Sequence, residues 1–194
     1  MTGVILSGGK SLRMGKDKAF VEIDGIPIIH QIVSLFNDLF EETVIVTNQK
    51  ELYKGLGIRT VSDIIPNMGV LGGLYTGLVC STFFYSFCVA CDMPFLKESV
   101  IGYLIQRKEG YDVAVAMTTD GLQPLHAVYS KNCIQPIQQT LAEGHYKILD
   151  FYPLVRIRTI GDAEILRLDP ERESFINVNT PEELQHVRSR KHFV

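Results

Sequence analysis

The stretch LSGGKSLRMGKDK, Leu6 to Lys18, holds three glycines, four basic side chains and one acidic one. Backbone amides of glycine can approach an anion closely because no Cβ stands in the way, so Gly8 and Gly9 suit phosphate oxygens. Arg13 offers a planar fork to the same oxygens, and Lys18 a compact point charge. The competing reading is a solvated basic loop. Further along stand Asn48 in VTN, Asp63 in VSD, Asp92 in ACDMP, and the pair Asn177 and Asn179 in NVN. A carboxylate such as Asp92 is a hard oxygen donor able to hold Mg²⁺ beside phosphate oxygens and water; it would also serve as a cap for the helix that follows. Asp63 is either a ligand acceptor or a turn residue ahead of Pro66. Asn177 and Asn179 either bind phosphate or satisfy the turn before a capped helix.

Two familiar labels fail on the opening stretch. GGKS invites a P-loop, but that motif needs G-x-x-x-x-G-K-[ST]. Here Gly3 and Gly8 are followed by Gly9 before Lys10 and Ser11, and Val4 to Leu6 belong to a strand. The G-x-G-x-x-G dinucleotide spacing is absent too.

The elements that must position these residues alternate. GVILS (Gly3 to Ser7), TVIVT (Thr43 to Thr47), IRTVSD (Ile58 to Asp63), FYSFCVAC, DVAVAM and PLHAVY (Pro124 to Tyr129) read as strands. Asp24-Gly25 signals a turn and Pro27 a helix start, with Ile28, Ile32, Leu35, Phe36 and Leu39 at helical spacing. Gly69 to Cys80, SVIGYLIQRK and a segment through about Ala142 read as further helices. Gly69, Gly73 and Gly77 share one helix face, which either packs closely on the sheet or lies against a ligand. The last third, HYKILDFY, VRIRTI and FINV, is less regular and closes on a T-x-x-E capping box at Thr180 to Glu183. Alternation of this kind predicts an α/β fold: one three-layer, Rossmann-like domain over 1–194 with a mostly parallel central sheet. In such sheets ligands bind at the carboxyl ends of the strands, which selects Ser7 to Lys18, Thr47-Asn48, Asp63, Asp92 and Asn177 to Asn179.

Composition narrows the classes. Hydrophobic residues make up 46% and charged residues 21% of 194, and the net charge is -3, so neither disorder nor a nucleic-acid surface is expected. No apolar run is long enough to span a bilayer, and MTGVILSGG lacks the basic start of a signal peptide, so the expectation is a cytoplasmic chain without membrane contact. Cys88 and Cys91 form C-x-x-C, but inside a buried strand residues three apart face opposite sides, which argues against a redox or zinc pair. No Ser-His-Asp or Cys-His arrangement can be placed. Of the five histidines, His126 in PLHAVY is the one considered near a second substrate.

LSGGKSLRMGKDK follows L-[AS]-G-G-x-S-x-R-M-G-x-D-K, and so resembles the opening motif of nucleotidyltransferases with a nucleotide-diphospho-sugar-transferase fold. Within that superfamily the Gly-Gly form, the short chain, ACDMP and the terminal NVNTPEEL resemble the molybdenum cofactor guanylyltransferases. The resemblance covers essentially the whole chain, more weakly in its middle third. It implies transfer of GMP from GTP to the phosphate of molybdopterin or Mo-molybdopterin, with release of pyrophosphate. It also implies that Leu6, Ser7 and Gly8 contact the nucleotide and Lys18 its phosphates. Asn48 and Asp63 would contact guanosine, at base or ribose, and Asp92 would bind Mg²⁺. Asn177 and Asn179 would lie near the cofactor phosphate, with Lys147 a further pterin-side candidate. Gly9 belongs with the nucleotide contacts, and Arg13, Lys18 and Asp92 with catalysis. Serine at Ser7 departs from the commoner alanine. A monomer is expected, with other molybdenum-cofactor proteins as partners. The alternatives are a cytidylyltransferase of the same cofactor, another small phosphate-acceptor nucleotidyltransferase, and an inactive nucleotide-binding regulatory module.

Overall fold

The computed structural model describes residues 1–8 and 18–178. Gly9, Arg13, Asn179 and the Thr180–Glu183 capping box fall outside those residues. In chain order the strands are β1 (Thr2–Leu6), β2 (Glu22–Ile23), β3 (Ile26–Pro27), β4 (Glu42–Val46), β5 (Arg59–Val61), β6 (Tyr85–Ala90), β7 (Val113–Thr118), β8 (Gly121–Ser130) and β9 (Ile157–Ile160). The helices are α1 (Ile28–Leu39), α2 (Gly69–Cys80), α3 (Glu98–Gln106), α4 (Ile134–Ala142) and the single turn α5 (Asp162–Ile165).

β2 and β3 form a small hairpin across Asp24 and Gly25, both at positive φ. The other strands make one seven-stranded sheet in the order β5-β4-β1-β6-β8-β7-β9. All pairings are parallel except those of β8, which runs against both β6 and β7. The mostly parallel sheet is as expected; the reversal of β8 was not read from the sequence. It follows from a tight connection: only Thr119 and Asp120 separate β7 from β8, and Gly121 closes the turn at φ +105°. A link this short joins antiparallel neighbours, because a parallel partner needs a crossover of a dozen or more residues.

Strand alternation sends side chains to two cores. Ile5, Ile45, Phe87, Val89, Ala114 and Val128 face one layer, where they meet Ile28, Ile32 and Phe36 of α1 and Val100, Ile101 and Leu104 of α3. Val4, Leu6, Val46, Cys88, Val115 and Tyr129 face the other, against Leu71, Leu74 and Leu78 of α2 and Ile137 and Leu141 of α4. Each large side chain buried completely contributes about 1.5–3 kcal/mol, so the two-sided burial of the central strands is what holds their ends in register. Cys88 lies wholly inside the second core, and burial pushes its thiol well above the ordinary range. It is packing, as its place in a buried strand implied.

The segment FINV is not a strand. It is a 3₁₀ turn, Glu173–Phe175, followed by extended chain. HYKILDFY likewise becomes a 3₁₀ helix, Ile148–Leu154.

Candidate active site

β1, β4, β5 and β6 are mutually parallel neighbours, so their carboxyl ends open on one edge of the sheet. Ladder bonds continue one step past the strands and fix the loops: Ser7 N–H donates to Val46 O at 2.9 Å, Thr47 N–H to Val61 O at 2.8 Å, and Cys91 N–H to Leu6 O at 3.1 Å. Ser7, Thr47-Asn48, Asp63 and Asp92 therefore leave adjacent strands side by side.

Ser7 is buried, and its hydroxyl lies against the Tyr53 hydroxyl at 2.5 Å, pointing into the molecule. Its N–H is used by Val46, so the hydroxyl and the N–H of Ser7 are both engaged within the protein. The exposed residue at the turn is Gly8, where an added Cβ would meet no protein atom within 4 Å. Crowding does not require this glycine; its effect is to keep the turn's backbone open. Leu6 is a core residue whose carbonyl is already bonded.

Lys18 re-enters at the start of a 3₁₀ turn, Lys18–Phe20, and its Nζ stands 3.9 Å from Asp92 Oδ2. Both side chains are more than four-fifths buried, at 19% and 17% exposure, which strengthens their attraction relative to a surface pair. Phe20 sets its ring 5.1 Å from that of Tyr53. Tyr53 thus meets both Ser7 and Phe20, two residues after Lys18, a connection with no signal in the sequence.

Across β4 and β5, Asn48 and Asp63 make a reciprocal pair. Asn48 Nδ2 donates to Asp63 Oδ2 at 2.8 Å, and Asp63 N–H donates to Asn48 Oδ1 at 3.1 Å. Ile64 N–H donates to the fully buried Thr76 hydroxyl at 2.9 Å, which ties the same loop to α2. The other carboxylate oxygen, Oδ1, faces α2 at Gly73, lying 3.9 Å from where a Cβ would be. The glycine face of α2 accordingly divides. A Cβ at Gly77 would sit 2.6 Å from Val4 Cγ1, so Gly77 serves close packing. Gly73 has ordinary room and lies beside Asp63.

Asp92 O accepts the N–H of Val178 at 2.9 Å, which brings exposed Asn177 to the same edge. Lys147 is exposed ahead of the 3₁₀ helix that follows α4. Its N–H donates to Asp150 at 3.0 Å, and no described contact joins it to the group above. His126 is fully buried on β8, between the rings of Phe87 (5.2 Å) and Phe175 (4.8 Å). Burial pushes its pKa down to about 3. It is a neutral core residue and is not placed to touch a substrate.

Among the described residues no group of three or more His, Cys, Asp or Glu could hold a metal ion. A mostly buried carboxylate such as Asp92 fits a different mode of binding, usual for Mg²⁺, in which one or two carboxylates share the ion with substrate phosphates and water. Among the same residues no helix is long and apolar enough to cross a membrane.

Known proteins resemble this chain in sequence and in fold. The family model for the MobA-like NTP transferase domain matches residues 3–157. A probable molybdenum cofactor guanylyltransferase of Pelotomaculum thermopropionicum is 40% identical over 187 residues, covering 96% of this chain and 91% of its own. The molybdenum cofactor guanylyltransferase of Desulfosudis oleivorans is 37% identical over 191 residues, covering 97% and 95%. Among solved structures, molybdopterin-guanine dinucleotide biosynthesis protein A of Archaeoglobus fulgidus superposes with a TM-score of 0.85 over 100% of both chains at 24% identity. The 4-diphosphocytidyl-2C-methyl-D-erythritol synthase of Anaerococcus prevotii does so at 0.76 and 13% identity, covering 98% and 95%; both likenesses concern the fold.

Proposed function

The chain belongs to the MobA-like NTP transferase family, and on that premise we propose that it transfers GMP from GTP to the phosphate of molybdopterin or Mo-molybdopterin, releasing pyrophosphate. The observation that carries the reading is the pairing of two constellations on one sheet edge: Lys18 with Asp92, and Asn48 with Asp63.

Guanine presents N1–H and N2–H donors on its pairing edge. A carboxylate oxygen is the complementary acceptor, and Asn48 holds Asp63 through Oδ2 so that Oδ1 is turned toward α2. A site built to pair those donors leaves its own groups unpaired with the wrong base, which discriminates strongly. Gly8 admits phosphate oxygens to the backbone at the end of β1. Lys18, 3.9 Å from Asp92, brings positive charge to the place where the phosphates would lie. A divalent cation held at Asp92, Mg²⁺ in our reading, would offset charge on the α-phosphate and on the departing pyrophosphate.

An oxygen of the acceptor phosphate attacks the α-phosphorus, and the bond from that phosphorus to the pyrophosphate oxygen breaks. No protein nucleophile takes part, so the residues contribute position and electrostatic stabilisation. Asn177, with Asn179, would present the acceptor phosphate from the Asp92 side, and Arg13 would add charge to the triphosphate. The same reading takes the chain to work as a monomer in the cytoplasm and to deliver its product to other molybdenum-cofactor proteins.

Thermal stabilisation by GTP, CTP, ATP and UTP with Mg²⁺ tests the assignment. A ligand at about 100 times its Kd adds about 2.7 kcal/mol, so GTP should raise the melting temperature well above the other three. Preference for CTP would replace the guanylyl reading with the cytidylyl one.

A further inference from the structure

Outside the strand-end cleft, Asp169, Lys97 and His126 converge on Ser174, Lys97 through its backbone N–H. Ser174 is fully buried in the 3₁₀ turn Glu173–Phe175. Its N–H donates to Asp169 Oδ2 at 2.8 Å, its hydroxyl accepts the Lys97 N–H at 3.2 Å, and its carbonyl stands 3.3 Å from His126 Nδ1. Asp169 is also fully buried, and its second oxygen takes the Lys97 ammonium at 2.7 Å. The same ammonium reaches Glu173 at 2.9 Å. His126 Nε2 is buried and has no hydrogen-bond partner among the described residues, so Nδ1 makes the ring's polar link. To donate to a carbonyl, Nδ1 must carry the proton.

This is an expensive way to fasten a turn. Replacing a buried ion pair by apolar residues of similar volume is often neutral or stabilising, so burial of Asp169 and a histidine is poorly explained by stability alone. Directional bonds do something apolar contacts do not: they specify register. Lys97 lies just after Asp92 in the chain, and Ser174 just before Val178, whose N–H donates to Asp92 O. Two segments 72 to 77 residues apart are therefore tied at two points, and Asn177 lies beside the second tie.

We propose that Ser174 is a positioning residue: held by Asp169, Lys97 and His126, it sets the register of residues 174–178 on the Asp92 loop, and thereby where the acceptor phosphate stands relative to the α-phosphorus. This rests on the guanylyltransferase reading. The latch acts on the acceptor and leaves nucleotide binding alone: none of its members touches Gly8, Asn48 or Asp63 in the described contacts, and the tie to Asp92 is made to its backbone carbonyl, not its carboxylate.

The test compares the full-length wild type with Ser174→Ala, Lys97→Met and Lys97→Arg. It measures the KM for molybdopterin by pyrophosphate release and the Kd for GTP with Mg²⁺ by calorimetry. One buried hydrogen bond corresponds to about tenfold in an equilibrium, so Ser174→Ala and Lys97→Met should raise the acceptor KM by about that factor. GTP affinity should stay within about twofold, and Lys97→Arg, which keeps the charge on Asp169, should recover most of the loss. Ser174→Ala removes only one hydroxyl and decides the matter alone if Lys97→Met fails to fold. An unchanged acceptor KM in Ser174→Ala, or an equal loss of GTP affinity, would overturn the latch and leave the guanylyl reading standing. Absence of pyrophosphate release from the wild type would overturn both.

Discussion

The two sides of the cleft are held by different means. On the nucleotide side, β1, β4 and β5 run parallel, and backbone ladder bonds carry directly into the turns at Ser7, Thr47 and Cys91. On the side we assign to the acceptor, β8 runs backwards, the chain after α4 includes two 3₁₀ stretches, Ile148–Leu154 and Glu173–Phe175, and the segment leading to Asn177 is fastened by Lys97, through its N–H and its ammonium, and by the side chains of Asp169 and His126. Ladders position a residue wherever the strand ends, whatever its side chain. A side-chain latch depends on each member, so the acceptor side should be the more easily altered and the nucleotide side the more tolerant.

Substitution of Asp92, where the two sides meet, gives the largest expected effect. Asp92→Ala should lower Mg²⁺-dependent pyrophosphate release by about a thousandfold or more, since charge-stabilising groups at a reacting phosphate are typically worth that much. The fold should survive, because the neighbouring ladder bonds use backbone atoms; circular dichroism and turnover together check this. Normal turnover would remove Asp92 from the site.

Next comes acid sensitivity of the acceptor side. Unfolded, His126 takes up a proton near its ordinary 6.5; folded, burial holds it neutral to about 3. The unfolded state therefore binds the extra proton across that window, and stability is lost as pH falls from 6.5 toward 3. The slope is about 1.4 kcal/mol per pH unit at most, and denaturant unfolding of the wild type and His126→Gln between pH 6.5 and 5 should show it flatten in the variant. Parallel slopes would mean that the ring is hydrated. Below the ordinary carboxylate value of 3.8, Asp169 adds to the same loss. Burial raises its pKa, but the Lys97 ammonium and the Ser174 N–H together hold it below that value, so its contribution is present above 3.8 and disappears on further acidification.

The smallest effect belongs to the nucleotide side. Tyr53→Phe strands the buried Ser7 hydroxyl and should cost about 1–2 kcal/mol of stability, whereas Ser7→Ala with Tyr53→Phe removes both partners and should cost less than the sum. Strict additivity in that double-mutant cycle would mean the two hydroxyls are not coupled. GTP affinity should change little throughout, since both substitutions alter only side-chain hydroxyls that are bonded to each other inside the protein.

The same division decides what could be read from the sequence. GVILS, TVIVT and FYSFCVAC are apolar runs ended by turn or polar residues, so local pattern sufficed to place Gly8, Asn48 and Asp92 at strand ends. The reversal of β8 is signalled by Asp120-Gly121 between two apolar runs, a hairpin cue set among alternating strands and helices that otherwise imply crossovers. FINV has the composition of a strand, yet the residues just ahead of it, Glu173 and Ser174, are held by Lys97 and Asp169, and a turn won. Ser174, Asp169 and Tyr53 carried no local mark: a serine, an aspartate before proline and a tyrosine among lysines are ordinary surface residues until distant partners bury them. His126 invited a substrate role because histidine often does chemistry, and only its two aromatic neighbours show it to be core.

The bond from Val178 to Asp92 has a consequence for the order in which the enzyme is made. Chains leave the ribosome amino end first, and domains generally begin folding in that order. β1, β4, β5, β6 and α1 to α3 are all synthesised by Gln106, so the groups assigned to the nucleotide can be brought together while the rest is still unwritten. The acceptor side must wait for Asp169, Ser174 and Val178 to emerge. A nascent chain would thus acquire a place for the triphosphate before it has a place for what the nucleotide is to be joined to, and the activity would wait for residues 169–178.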